Sequence, residues 1–340
     1  MPSTSVKKEH VLLLLASFVI VIAGVKSAQS IIAPFLLAVF IAVMSAPAVF
    51  WLEQKGLPKF IAFLSVALGV MGVLSVIVIM VGGSLNTFMS QLPELQNHLL
   101  ALVQSFITFL NNQGIELDLS SMPDAFQPTQ FVNAASGVLR SISKVLSSSF
   151  LIFLMVAFIL FETSSLRVKM RLILGRKSKE SETVIHFMEN LKRYLAIKTL
   201  ASFATGLIIG FLLWSFGVKY ALLWGIIAFL LNYIPAIGSI VAAIPAVLVS
   251  LVEHDTSTVG MVIAIFLITN IVIGNIIEPR FLGKGLGLSP LVILLSLMFW
   301  GWVLGPIGMF LAVPITMSIT MGLHTMPHTR WIAIMLSNKF

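Results

Sequence analysis

The chain of 340 residues is too apolar to be a water-soluble protein. Hydrophobic residues make up 58% of the sequence and charged residues 10%, against about 45–50% and about 25% in typical globular domains. A net charge of +8 is typical of the orientation signal of a membrane protein, so it does not indicate a nucleic-acid partner. The absence of cysteine excludes a disulfide framework, a thiolate metal site and a cysteine nucleophile.

Long runs without a charged residue predict helices that cross a membrane. Each run is at least as long as the roughly 20 residues that span a hydrocarbon layer of about 30 Å. The alternating segments of about ten residues that are typical of a membrane β-barrel do not occur. We therefore predict an all-α, polytopic integral membrane protein with about eight membrane segments, two of them interrupted. The runs are 60–93, 199–218, 220–252, 256–277 and 285–323.

Residues 1–82 are predicted to form the N-terminal membrane segments, with spans at about 9–27, 30–52 and 60–82. Two lysines before the first apolar run resemble the start of a signal peptide, but no clear small-residue cleavage site follows. We therefore expect this run to remain as the first membrane span.

Two extramembrane segments differ in charge and set the predicted orientation. Segment 83–146 has four acidic and two basic residues, and its apolar side chains recur every three or four residues, which predicts amphipathic helices. A span at 147–161 separates it from segment 162–198, which has nine basic and four acidic residues. The positive-inside rule places 162–198 in the cytoplasm, where it can contact anionic lipid headgroups, and 83–146 outside. The amino terminus and the tail 324–340 are then cytoplasmic.

The C-terminal membrane core, 199–323, contains two uncharged runs that are too long to be single straight helices. Run 220–252 would extend about 50 Å as a continuous helix, and run 285–323 is longer still. Glycine and proline clusters divide both runs, which predicts interrupted helices or tight helical hairpins. The predicted hinge or unwinding residues are Pro235, Gly238 and Pro245 in the first run, and Gly305, Pro306, Gly308 and Pro314 in the second.

The two interruptions have similar sequences. Ile237-Gly238 is followed by Ala242, and Ile307-Gly308 is followed by Ala312 at the same distance. Paired interruptions of this kind point to the binding region of a transporter. Glycine and proline are also common in membrane helices, so a structural repeat and a chance similarity both remain open.

A few polar residues lie within or beside these apolar segments and are the candidate lining of a solute path. Asn270, Gly274 and Glu278 follow an i, i+4, i+8 spacing that would stack them on one face of an α-helix. Arg280 is close enough in sequence to neutralise Glu278. The alternative interpretation is ordinary interhelical hydrogen bonding and an ion pair at the membrane end. The predicted path residues are Asn232, Tyr233, Asn270, Asn275, Glu278 and Arg280.

Sequence motifs of enzymes and ATP-driven pumps are absent. The chain has no G-x-x-x-x-G-K-[ST] phosphate loop and no H-E-x-x-H zinc motif. No pair of carboxylates within the apolar runs offers a catalytic dyad. We therefore expect no enzymatic activity, no catalytic residue, no metal and no cofactor.

Three longer motifs stand out in the C-terminal half of the chain. They are Leu230-Leu231-Asn232-Tyr233-Ile234-Pro235-Ala236-Ile237-Gly238-Ser239, then Gly274-Asn275-Ile276-Ile277-Glu278-Pro279-Arg280 with Gly283-Lys284-Gly285-Leu286-Gly287-Leu288-Ser289-Pro290, and Phe299-Trp300-Gly301-Trp302-Val303-Leu304-Gly305-Pro306. These motifs are similar to those of the autoinducer-2 exporter family, and the similarity covers nearly the whole chain. The resemblance implies a bacterial inner-membrane protein that assembles as a homo-oligomer, with a pentamer as the expected state, and that exports the quorum-sensing signal autoinducer-2, a small polyhydroxylated molecule.

Two other functions remain open at this point. Other branches of the same family are described as sodium(lithium)/proton antiporters. Antiport needs a titratable group inside the membrane, usually a carboxylate, and the candidates are Glu278 and Glu162, both at segment ends. The neutral lining favours an uncharged hydroxylated solute instead. A membrane scaffold that transports nothing is the third possibility, although a scaffold has no use for interrupted helices.

Overall fold

The computed structural model describes residues 3–113, 128–174, 179–235, 237–253, 255–282, 288–325 and 329–336. These residues form twelve α-helices and one π-helical stretch, and no β-strand occurs among them. The all-α prediction is therefore confirmed. The α-helices are α1 (Ser3–Ser27), α2 (Gln29–Gln54), α3 (Lys59–Asn112), α4 (Pro128–Ser147), α5 (Ser149–Leu174), α6 (Lys179–Ser215), α7 (Ala221–Leu231), α8 (Gly238–Glu253), α9 (Thr256–Thr269), α10 (Glu278–Leu282), α11 (Pro290–Thr325) and α12 (Arg330–Leu336), and the π-helix is Asn270–Ile277.

Several helices are long and apolar enough to cross a membrane. Five qualify among the described residues, and a bent pair, Leu139–Ser147 with Ser149–Glu162, makes a sixth if it counts as one span. Shorter apolar helices occur at Ala16–Ser27 and in α7 and α8. Many large apolar side chains on these helices are exposed, as expected for surfaces that face lipid. The five long spans are Gln29–Gln54, Lys59–Glu94, Glu189–Ser215, Thr256–Phe281 and Pro290–His324.

The chain divides into two compact units. Unit 1 comprises Met1–Phe63, Phe150–Phe187 and Gly287–Phe340, and unit 2 comprises Leu64–Ser149 and Met188–Leu286. A boundary between a membrane span and an external segment was predicted at residue 83. Helix α3 is continuous across this position. The separate roles predicted for the segments on either side of that boundary stay predictions.

Unit 2 has a core built around Trp224, which is fully buried on α7. The indole packs edge-on against Phe88 of α3, with ring centroids 5.2 Å apart, and against Tyr220 at 6.5 Å. Its Nε1–H donates to the carbonyl of Lys219 at 3.1 Å. A buried Trp needs such an acceptor, so this bond fixes the indole at the start of α7, and the ring contact with Phe88 packs it on α3.

Helices α6 and α7 approach each other so closely that their backbones touch. A Cβ atom added at Gly206 would lie 2.6 Å from the carbonyl oxygen of Gly225, and one added at Gly225 would lie 2.9 Å from the Cα of Gly210. Gly206 and Gly210 form the G-x-x-x-G pattern that allows such contacts between membrane helices. The close contact holds α6 beside the helix interruption that follows α7.

That interruption lies between Leu231 and Gly238, as predicted for the first long run. The amide of Ile234 donates to the carbonyl of Leu231 at 2.8 Å, and the amide of Gly238 donates to that of Ile234 at 3.1 Å. A side chain at Gly238 would collide with the Leu231 carbonyl oxygen, so the turn requires glycine. The predicted break at Pro245 is wrong, because α8 continues through this residue and membrane helices tolerate an internal proline.

In unit 1, α11 is broken at Gly305, which is one of the predicted hinge residues. Gly305 has φ +66° and ψ −152°, a conformation that is essentially restricted to glycine. The two halves then pack together: Trp300 Nε1 donates to Thr316 Oγ1 at 3.1 Å, and Thr316 donates to Ser296 at 2.9 Å. The helix is therefore a hairpin, and the predicted break at Pro314 is wrong because that residue stays helical.

The two interruptions share a local geometry. A side chain at Gly308 would collide with the carbonyl of Trp300, as one at Gly238 would with that of Leu231. Ala242 and Ala312, four residues further on, are both fully buried. The similarity noticed in the sequence thus extends to the packing of each turn, and the structural repeat stays a prediction.

Candidate functional site: a polar face of helix α6

Three buried polar residues follow one another along helix α6. Lys198, Ser202 and Thr205 are 4%, 0% and 2% exposed. Their i, i+4, i+7 spacing places them on one face of the helix. We call these three residues the α6 polar face. Its neighbours in unit 2 are the helix interruption after α7 and the end of the π-helix.

Lys198 forms a buried ion pair with Glu278, the residue that follows the π-helix. The ammonium Nζ donates to both carboxylate oxygens, at 2.8 and 2.9 Å, and the two side chains are 5% and 11% exposed. Removing charges from water is costly, so a pair of this kind persists only when each charge neutralises the other. Tyr194, one turn before Lys198, is also buried and interacts electrostatically with Glu278.

This ion pair corrects the predicted partner of Glu278. Arg280 was expected to neutralise the carboxylate, but Arg280 is exposed and Lys198 occupies that role. The sequence did not reveal this partner because Lys198 is 80 residues away from Glu278. Packing of the two helices brings the side chains together. A second basic residue of α6, Arg193, bonds to α10, where its Nη2 donates to the carbonyl of Phe281 at 3.3 Å.

Two side chains of the interruption bond to α6. Asn232 Nδ2 donates to Ser202 Oγ at 3.0 Å, and the hydroxyl of Tyr233 bonds to Thr199 Oγ1 at 2.8 Å. Asn232 and Tyr233 are each 6% exposed. Both predicted path residues of this run therefore lie in the protein interior and face α6. Pro235, two residues later, is half-buried.

The hydroxyl of Thr205 is buried and makes no hydrogen bond within the part of the chain that the structure describes. A buried hydroxyl without a partner is costly and calls for an explanation. Thr205 lies three residues beyond Ser202 on the same face, so the polar face continues past the Asn232 contact and ends in an unsatisfied group.

The predicted polar stripe on the next helix differs from the structure. Asn270–Ile277 is π-helical, with hydrogen bonds that join residues five apart, so its turn is wider than the α-helix assumed for Asn270, Gly274 and Glu278. Asn270 is half-buried and its Oδ1 lies over Gly274, whereas Asn275 is exposed. Of these residues, Glu278 is the one that reaches the α6 polar face. π-Helical turns are often found at functional sites.

The remaining predicted residues belong to unit 1. Gly305, Pro306, Gly308 and Pro314 lie in the α11 hairpin. Glu162, the second candidate carboxylate, is exposed at a recess of about 380 Å³ that Glu53 and Lys59 also line. Among the described residues, no group of three or more histidine, aspartate or glutamate side chains is placed to hold a metal ion.

Sequence reasoning missed the α6 polar face. Lys198 was counted with the basic extramembrane segment because the uncharged run begins one residue later, at Thr199. The available signal was the spacing of Lys198, Ser202 and Thr205, which continues a single polar stripe from the basic segment into an apolar helix.

A helical membrane protein with paired interrupted helices and a buried polar face beside one of them has the architecture of a transporter. The sequence profile of the AI-2E family transporters matches residues 15–328, and the chain belongs to this family. It is 34% identical over 328 residues to the "AI-2 transport protein TqsA" of Escherichia coli (strain K12), covering 96% of this chain and 95% of the relative. The "Putative transport protein YhhT" of the same strain is 35% identical over 330 residues, covering 96% and 94%.

Proposed function

We propose that this transporter exports a small, uncharged, hydroxylated solute, and that the solute is autoinducer-2. The name of the relative TqsA specifies AI-2 transport, and the similarity extends over nearly the whole of both chains. The name of YhhT specifies transport without a substrate, so the choice of solute rests mainly on the chemistry of the site.

The observation that carries this proposal is the set of contacts between α6 and the helix interruption. Asn232 with Ser202 and Tyr233 with Thr199 are hydrogen bonds between neutral groups, at 3.0 and 2.8 Å. Backbone that departs from a helix at membrane depth is tolerated where protein or a polar cavity satisfies it. Neutral amides and hydroxyls can exchange these bonds for bonds to a hydroxylated solute without moving a net charge through the membrane.

A sodium(lithium)/proton antiporter is the second candidate, and the burial of Glu278 favours it. An antiporter requires a carboxylate inside the protein that can release and take up a cation, and Glu278 is buried with Lys198 as its partner. Membership of a transporter family argues against the third possibility, a scaffold that transports nothing.

We also propose the bacterial inner membrane as the location, with both termini in the cytoplasm. The support is the distribution of lysine and arginine, which are concentrated in segment 162–198 and sparse in segment 83–146. Assembly as a homo-oligomer, with a pentamer as the expected state, is proposed from the family resemblance alone.

Purified protein in sealed liposomes provides the test that separates the two candidates. We expect autoinducer-2 flux that is absent from protein-free vesicles and does not require an imposed sodium gradient. Sodium-driven proton movement without solute flux would instead identify an antiporter.

Three substitutions test the proposed path within the same assay. Asn232→Ala, Asn275→Ala and Glu278→Gln are measured in protein that is shown to be correctly inserted. Because Asn232 and Glu278 are buried at the site and Asn275 is exposed, we expect the first and third to slow transport more than the second. Unchanged transport in all three variants would exclude this placement of the path.

A further inference from the structure

We propose that the buried hydroxyl of Thr205 is a solute-binding group, and that it acts together with Ser202 and Lys198 to recognise acceptor oxygens of the solute. This inference rests on the proposed transport of a hydroxylated solute and adds the residues that would donate hydrogen bonds to its oxygen atoms. Its starting point is the unsatisfied hydroxyl at the end of the α6 polar face.

Thr205 differs from many serine and threonine residues on the described helices of this protein. Hydroxyl groups on membrane helices commonly bond to the carbonyl oxygen four residues earlier on their own helix. Thr205 does not, although it is a helical residue with little access to water. Those that do are Ser84, Thr87, Ser105, Thr108, Ser141, Ser147, Thr199, Ser250, Ser318 and Thr320.

The position of Thr205 is fixed by the neighbouring residue. Gly206 touches the backbone of Gly225 on α7, and a Cβ atom there would lie 2.6 Å from the Gly225 carbonyl oxygen. Because the backbones of α6 and α7 are in contact at this point, there is no room for the two helices to move closer together beside Thr205. The unsatisfied hydroxyl thus lies next to a tightly packed helix contact.

The whole α6 polar face has hydrogen-bond donors to spare. The ammonium of Lys198 has three N–H groups, and its bonds in the described residues go to the two oxygens of Glu278. Ser202 accepts a bond from Asn232, and no bond donated by its own hydroxyl occurs among the described residues. Thr205 makes none. The three groups extend along about 10 Å of helix.

This pattern of donors defines the class of ligand. Spare N–H and O–H groups bind a molecule that offers acceptor oxygens, such as a small polyol or hydroxycarbonyl compound. The hydroxyls of Ser202 and Thr205 can also accept hydrogen bonds, but the ammonium of Lys198 on the same face disfavours a sodium or lithium ion. In the structure the face is closed by Asn232, so solute binding requires the interruption to move away from Ser202.

A single pair of variants tests the role of Thr205. Thr205→Val removes the hydroxyl and keeps the shape, whereas Thr205→Ser keeps the hydroxyl and loses a methyl group. Since the hydroxyl has no partner in the closed protein, its removal should leave thermal stability unchanged or raise it. Removing one hydrogen bond to solute should raise the KM for autoinducer-2 flux about 3- to 10-fold, with Thr205→Ser within about 2-fold of wild type.

The outcomes separate this inference from the proposed function. If the wild type transports autoinducer-2 and KM is raised in Thr205→Val but not in Thr205→Ser, the proposed function and the role of Thr205 are both supported. Flux in wild type with an unchanged KM in a stable Thr205→Val variant overturns the role of Thr205 and leaves the proposed function intact. If wild-type protein neither moves autoinducer-2 nor is thermally stabilised by it, the proposed function fails and the role of Thr205 fails with it.

Discussion

Lys198 and Glu278 are joined by two hydrogen bonds of 2.8 and 2.9 Å although 80 residues separate them in sequence. One residue belongs to a membrane helix and the other follows a π-helical stretch. A buried ion pair of this kind seldom adds net stability compared with a well-packed apolar pair. We therefore propose that this pair serves transport, and its variants test that proposal.

Substitutions at this pair should separate its structural role from its role in transport. Lys198→Met or Glu278→Leu alone leaves one buried charge unpaired, which costs about 3–5 kcal/mol. The double variant Lys198→Met/Glu278→Leu removes both charges and should recover most of the thermal stability in detergent. We expect it to transport slowly despite its recovered fold. Wild-type transport by the double variant would show that the pair is only a structural contact.

The glycine contact between α6 and α7 gives a second prediction. Gly206→Ala places a methyl group 2.6 Å from the carbonyl oxygen of Gly225, so the helices must separate at a cost of about 1–3 kcal/mol. The matched control is Gly260→Ala, because no atom lies within 4 Å of a Cβ at that position in the same unit. Thermal unfolding should show a loss for the first variant and little change for the second. Equal unfolding temperatures would contradict the close helix contact.

The hairpin of α11 depends on the backbone of Gly305. With φ at +66° and ψ at −152°, any side chain at this residue strains the turn by about 1–3 kcal/mol. A Cβ atom would also lie 2.6 Å from Nε2 of Gln29. We expect Gly305→Ala to be destabilised, and Gln29→Ala in the same chain not to restore it, because the strain is in the backbone. Gly322→Ala on the same helix, where a Cβ meets no atom within 4 Å, should be tolerated. Rescue by Gln29→Ala would instead assign the defect to the side-chain contact.

An exposed ion pair at the end of α8 predicts a dependence on alkaline pH. The hydrogen bond from Lys219 to Glu253, at 2.8 Å, raises the pKa of the Lys219 ammonium above its ordinary value of 10.5. The stabilisation is therefore complete below pH 10.5 and is lost as the pH rises through the raised value. Unfolding temperatures measured from about pH 8 to about pH 11.5 should fall more in wild type than in Lys219→Met. Because Lys219 is largely exposed, the difference should be small, and parallel curves would exclude the contribution.

The all-α fold with several membrane-spanning helices could be predicted from the sequence, because long hydrophobic runs depend on local composition. The interruption after Leu231 and the break at Gly305 were also predicted, because a cluster of glycine and proline marks each of them in the sequence. Pro245 and Pro314 were expected to break helices and do not. Whether a proline ends a helix depends on neighbouring helices, which the sequence does not reveal.

The candidate site was predicted in part. Asn232, Tyr233 and Glu278 were selected from the sequence and are buried at one site. Their partners on α6 were not selected, because contacts between distant helices depend on packing and not on spacing along one helix. The π-helical geometry of Asn270–Ile277 was not predicted, and no residue type in this stretch signals it.

The most direct test of a solute path between α6 and the interruption after α7 is to crosslink these two elements. The chain has no cysteine, so Ser202→Cys/Asn232→Cys carries the only thiols, at two side chains that are in contact in the structure. Autoinducer-2 flux is measured in liposomes before and after treatment with a short thiol crosslinker that a reductant can cleave, with the two single-cysteine variants as controls. We predict that crosslinking stops flux in the double variant alone and that reduction restores it. Undiminished flux through fully crosslinked protein would contradict a solute path between these two elements.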